Sequence, residues 1–97
     1  MKRFMLLMVG FKKPTPEIMD AWKAWFETIA ERTLDQGGFH GGAREISASG
    51  TADLPMGMES ITGYTIIEAE SLEEAEKFAR ENPYIASIRV YEVMAGK

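Results

Sequence analysis

Six consecutive apolar residues, Phe4-Met5-Leu6-Leu7-Met8-Val9, constrain this chain more than any other feature. They predict a strand over residues 3–10 that is apolar at both parities. Phe4, Leu6 and Met8 face one side, Met5, Leu7 and Val9 the other. Such a strand belongs in the middle of a sheet that is covered on both faces. Met1-Lys2-Arg3 in front of the run gives it the outline of a signal peptide. The run is short, however, no A-x-A-like cleavage site follows, and Lys12-Lys13 come immediately after, so a strand is the better reading. No other run approaches the roughly 20 apolar residues of a membrane span. The expectation is a cytoplasmic protein without a membrane partner.

Thr15-Pro16-Glu17 opens a helix: Thr15 caps free backbone N–H groups, and Pro16 suits the first helical position. Ile18, Trp22, Trp25, Phe26 and Ile29 follow at helical spacing and make one apolar face. Gly37-Gly38 is expected to stop this helix, and Gly37 to Gly42, with four glycines around Phe39-His40, to form a turn or bulge. Leading from a helix into a strand, this segment is in the wrong context for a phosphate-binding loop. A second strand is expected over 43–49, a loop over 49–57 and a third strand over 59–68. Ser71-Leu72-Glu73-Glu74 reads as a capping box that opens a second helix. Leu72, Ala75, Phe78 and Ala79 form its apolar stripe, the Glu73, Glu74, Glu76 and Lys77 cluster its solvated face. Asn82-Pro83 ends it. The last strand is expected over 85–94, with a short tail at 95–97.

The order strand, helix, strand, strand, helix, strand predicts an α+β, ferredoxin-like βαββαβ fold in a single domain spanning 1–97. Both helices lie on one face of a four-stranded antiparallel sheet. The other face of a doubly apolar first strand then needs a cover, since large apolar patches are rarely left in water. A second copy packed sheet to sheet supplies it, giving a homodimeric α+β barrel.

The 97 residues include no cysteine, which removes disulfides, thiolate metal sites and cysteine nucleophiles. One histidine, His40, excludes a multi-histidine metal site, and no metal or cofactor is expected. The formal net charge of −4 argues against nucleic acid as a partner. The first and third strands also lack the basic and aromatic pattern of RNA-binding ferredoxin-like domains.

Gly63-Tyr64-Thr65-Ile66-Ile67-Glu68-Ala69-Glu70-Ser71-Leu72-Glu73-Glu74-Ala75, then Asn82-Pro83-Tyr84 and Val90-Tyr91-Glu92-Val93, resembles the YCII-related family. Trp22-Lys23-Ala24-Trp25-Phe26 with Asp35-Gln36-Gly37 is similar to the first helix and turn of its Asp-Gly-Pro-Phe branch, and Asp53-Leu54-Pro55-Met56 to a degraded form of that branch's signature. The resemblance covers most of the chain and implies a dimeric α+β barrel. It also implies an active site built from a histidine in the first helix and an aspartate just before the Pro-Tyr pair. Here those positions fall near Phe26 and at Asn82. An amide cannot take up a proton at neutral pH and a phenyl ring has no exchangeable proton, so the dyad is not intact.

This favours a homodimer that binds a small organic molecule over an enzyme. Two alternatives stand beside it: a cofactor-independent enzyme of monooxygenase or isomerase type, and a non-catalytic assembly module. Catalytic residues are not assignable. The candidate ligand-binding residues are Trp22, Asn82, Tyr84, Tyr64, His40 and Arg44. Trp22, Asn82 and Tyr84 are expected to lie together, because the last strand starts beside the end of the first. Tyr64 and Tyr84 offer hydroxyls, and His40 is the one side chain that ordinarily titrates near neutrality. Arg44 suits an anionic group if it points inward. Met5, Met8 and Met19 are expected as core filler, and Met56 and Met58 as parts of a loop that folds over a site.

Overall fold

A computed structural model describes residues 1–94; the tail expected at 95–97 lies outside the described residues. The elements are β1 (Lys2–Val9), α1 (Pro16–Thr28), a 3-10 turn (Ala30–Arg32), β2 (Thr33–Gly38), β3 (Ala43–Ser47), β4 (Gly50–Leu54), β5 (Ile61–Ala69), α2 (Leu72–Arg80) and β6 (Ser87–Val93). Four strands make one antiparallel sheet in the order β2-β5-β1-β6, and β3 and β4 pair only with each other. The chain thus has the ferredoxin-like α+β arrangement, with a hairpin inserted between its second and third sheet strands.

β1 occupies the interior of the sheet, paired to β5 and β6, with Leu6 opposite Thr65 and Val90. Phe4 and Leu6 are fully buried under the helices with Trp25, Ile29, Ile67, Ala69, Ala75 and Ala79. Met5 and Leu7 point to the opposite, helix-free face and are only half-buried. A bulge after Met8 turns Val9 back into the buried set.

α1 begins as its residues predict: Thr15 Oγ1 accepts from Ile18 N at 3.2 Å and Pro16 stands at the first position. It ends at Thr28, well short of Gly37. After Ile29 the 3-10 turn redirects the chain, and Thr33 Oγ1 donates to the Ile29 carbonyl at 3.0 Å. β-branched Thr28, Ile29 and Thr33 favour leaving the helix, and the Thr33 hydroxyl offers the backbone a partner outside the helical ladder. The second sheet strand is therefore Thr33–Gly38, and the strand expected over 43–49 is instead one arm of the hairpin. The expected loop over 49–57 contains its other arm, β4. Met19, expected in the core, is 58% exposed on the outer side of α1.

Two indoles fasten α1 to the end of α2. Trp25, 4% exposed, donates through Nε1 to the Phe78 carbonyl at 2.9 Å. Trp22 Nε1 donates to the Pro83 carbonyl at 3.2 Å. α2 is capped by Ser71, whose Oγ accepts from Glu74 N at 3.1 Å. The return bond of the expected capping box is redirected, because Glu74 Oε1 accepts from Glu70 N and pairs with Arg32. Among the described residues, no helix is long and apolar enough to cross a membrane.

Gly10 closes β1 at a φ of +107°, and a Cβ there would stand 2.8 Å from the Ala86 backbone nitrogen and Cβ. Gly10→Ala is expected to cost about 2–4 kcal/mol, combining backbone strain with overpacking. In a chain of this length that lowers the melting temperature by on the order of 10 °C, checked by thermal unfolding with circular dichroism.

Candidate functional site

The Gly37–Gly42 segment continues from a strand, not from a helix. Gly37 and Gly38 pair with Tyr64 and Gly63 of β5, and Phe39 N extends the ladder by donating to Thr62 O at 2.9 Å. Gly37 is needed there for close approach rather than for a turn. The Tyr64 ring lies across it, and a Cβ at Gly37 would come 2.8 Å from Tyr64 Cε1. On the helix-free face the Phe39 ring stacks on Tyr64, centroids 5.8 Å apart. The Tyr64 hydroxyl donates to Asp35 Oδ2 at 2.9 Å, and Asp35 Oδ1 accepts from Gln36 N at 2.9 Å. Donating to this carboxylate pushes the Tyr64 phenol above its ordinary value of 10.0, with desolvation and the Asp35 charge acting in the same direction.

Beyond Phe39 a cavity of about 420 Å³ opens between the root of the hairpin and the start of β5. Phe39, His40, Leu54, Met56, Glu59 and Ile61 are among its lining residues. Its wall is largely apolar, with His40 and Glu59 as the ionisable groups, and its volume suits a small organic molecule. The loop behind it is fixed internally. Ser60 Oγ accepts from Gly57 N at 2.8 Å and donates to Pro55 O at 2.9 Å. The Ser60 and Gly57 carbonyls accept from Gly10 N and Phe11 N, which tie the loop to the end of β1.

The sequence candidates divide between two regions. His40 lines the cavity, and Tyr64 supports it through Phe39. Trp22, Asn82 and Tyr84 gather on the β6 side of the molecule, joined by the Trp22–Pro83 bond and by Tyr84 N donating to Asn82 O at 2.8 Å. Trp22 lines a shallower depression of about 500 Å³ on the outer side of α1, with Pro14, Met19, Lys23, Phe26 and Glu27. Neither cavity includes Asn82 or Tyr84. Tyr84 is 47% exposed, whereas Asn82 is 4% exposed, with both atoms of its side-chain amide buried and unpartnered. Arg44 lies on β3 in an exposed ion pair with Asp53 at 3.2 Å. Met56 lines the cavity, while Met58 is exposed. Among the described residues, no group of three His, Asp or Glu side chains is placed to hold a metal ion.

Phe39, Leu54 and Ile61 were not singled out by the sequence reading. They come from three separate segments, and only the pairing of β2 with β5 and of β3 with β4 brings them together. The available signal was weak: apolar residues set among glycine, proline and charged neighbours, where no core-facing period explains them.

No protein-family model matches the chain, and no curated protein matches it. Among solved structures it is similar to the 5-chloro-2-hydroxyhydroquinone dehydrochlorinase of Burkholderia phenoliruptrix AC1100, solved in complex with 2,5-dihydroxybenzoquinone. The TM-score is 0.63 at 18% sequence identity, and the likeness covers 97% of this chain and 95% of that one. At that identity the likeness shows a shared fold over nearly the full length of both chains.

Because the neutral phenol is the form favoured on folding, the Tyr64–Asp35 contribution is fully present below pH 10 and is lost as pH rises through the raised folded value. Ultraviolet titration of the folded protein should show a phenol that ionises above the ordinary value of 10.0. Asp35→Asn should return that phenol to the ordinary range; an unchanged titration would show that the contact does not persist in solution.

Proposed function

We propose that the chain is a YCII-like, homodimeric α+β barrel protein that binds a small, largely apolar organic molecule in the cavity at His40. The cavity itself carries the reading: a half-enclosed space of about 420 Å³ with an apolar wall and His40 and Glu59 as hydrogen-bonding groups. A molecule the size of a substituted phenol or quinone fits such a space. That the similar solved structure holds 2,5-dihydroxybenzoquinone supports this size class. The positions that the YCII resemblance assigns to a histidine and an aspartate hold Phe26 and Asn82, which favours binding over catalysis through that dyad. Among the polar groups of the cavity, His40 is the one suited to orient a ligand or to exchange a proton with it.

The dimer is supported by the helix-free face of the sheet. Met5, Leu7, Tyr64, Ile66, Tyr91 and Val93 form one contiguous surface across three strands. Arg3, Arg89, Asp35 and Glu68 stand on the same face, two charges of each sign. A net charge of −4 per chain opposes association, so a locally balanced apolar surface is where two copies meet most easily.

A thermal-shift screen of phenols, quinones and short aromatic acids tests the site. At a concentration 100 times its dissociation constant a ligand adds about 2.7 kcal/mol, a shift on the order of 10 °C for a chain of this size. His40→Ala and Ile61→Asp should each weaken binding at least tenfold; a hit indifferent to both would place the ligand elsewhere. For the dimer, Leu7→Glu should give a folded monomer in sedimentation equilibrium, because an uncompensated buried charge costs several kcal/mol. A wild-type monomer at micromolar concentrations would remove the barrel.

A further inference from the structure

The β3–β4 hairpin is the part of the molecule that its own fold does not explain. Every residue of both strands is exposed, including Ile46 at 81% and Leu54 at 44%. The two strands pack on each other and on no other helix or strand to a comparable extent. The Cα radius of gyration is 14.5 Å, against roughly 12.5 Å for a compact chain of this length. A lone two-stranded hairpin is marginal in water, and its free edges invite unwanted pairing. The insertion therefore needs a surface to lie against, and the described residues of this chain do not supply one.

We infer that the hairpin is an arm exchanged between two copies of this chain, each arm lying against the other copy. The inference rests on the homodimer proposed above and adds how that dimer is held. Area is the first argument for a second copy as the occupant. Four strands of about seven residues, at roughly 4.8 Å spacing and 3.3 Å rise, cover on the order of 450 Å². A stable interface buries roughly 800 Å² of accessible surface per partner, and exchanged arms add to what the sheet footprint supplies. In a two-fold arrangement each copy gives one arm and receives one. Five residue pairs make an arm roughly 17 Å long and 10 Å wide, and two such contacts enlarge the footprint by on the order of 340 Å².

Continuity is the second argument. The segment leading into the arm leaves the body at the rim of the helix-free face, where Phe39 stacks on Tyr64, so the root of the arm adjoins that face. Charge is the third. One side of the arm presents Ile46 and Thr51 beside the internally paired Arg44 and Asp53, and is neutral, like the sheet face. The opposite side carries Ala43 and Leu54 at the root, where both line the cavity. Docking the arm thus also fixes one wall of the ligand pocket.

Hydrogen exchange and sedimentation, run together on the full chain, test this. In the wild-type dimer the cross-strand amides of residues 43–54 should exchange at least tenfold more slowly than in the Leu7→Glu monomer; equal rates overturn the arm. Ile46→Glu alters a side chain that is 81% exposed in its own chain, opposite Thr51 across the hairpin, and it should raise the dimer dissociation constant at least tenfold. If Leu7→Glu separates the copies and Ile46→Glu leaves the constant unchanged, the arm is refuted while the sheet-face dimer stands. If wild type is monomeric throughout, both the dimer and the arm fall.

Discussion

Phe4 and Leu6 point under the helices while Met5 and Leu7, one residue along, point the other way, and β1 sits between two neighbours. Period-two alternation leaves a strand with apolar residues at both parities no polar side to turn to water. One side is covered within the chain by Trp25, Ile29, Ala75 and Ala79. The other carries no helix among the described residues, and the proposed dimer packs there. Placing β1 at the centre also fixes the neighbours: β5 and β6 pair with it, and β2 reaches the sheet only through β5.

The helical layer is held by polar contacts as well as by packing. The Trp25 and Trp22 N–H groups end on carbonyls near the end of α2, which fixes α1 against the segment leading into β6. Arg32 stacks over the Phe78 ring at 4.7 Å and pairs with Glu74, joining the 3-10 turn to α2. A buried indole whose N–H found no acceptor would lose much of what its apolar surface contributes. The same bonds occupy Trp22 and the Pro83 carbonyl and close the β6 side of the molecule, while the β2 side, at His40, keeps open space.

On the β2 side the sheet, the hairpin and the cavity are coupled through a few side chains. Gly37 admits the Tyr64 ring, Tyr64 carries Phe39, and Phe39 leads directly to His40 and the cavity. Asp35 holds the Tyr64 hydroxyl from the edge strand. A change at Gly37, Tyr64 or Asp35 reaches the pocket through Phe39 without touching its lining, because each side chain sits where its neighbour leaves room.

Much of the fold was legible in local signals. The doubly apolar run at Phe4–Val9, the Thr15-Pro16 and Ser71 helix starts, and the apolar period of β5 each state their element in the residues themselves, and together they give the ferredoxin-like order. The glycines at 37 and 38 misled, since a glycine signals a turn as readily as a strand position crossed by an aromatic ring, and only the Tyr64 ring in place distinguishes them. The hairpin was half visible, because an all-exposed strand has no buried face to impose an alternating pattern. Sequence alone determined that β1 is central and that its second face needs a cover, since that follows from side-chain parity within one segment. Only the tertiary structure decided that His40 lines a cavity with Leu54 and Ile61 while Asn82 is buried away from it. Those neighbours lie far apart along the chain and meet through strand register, which a linear pattern does not encode.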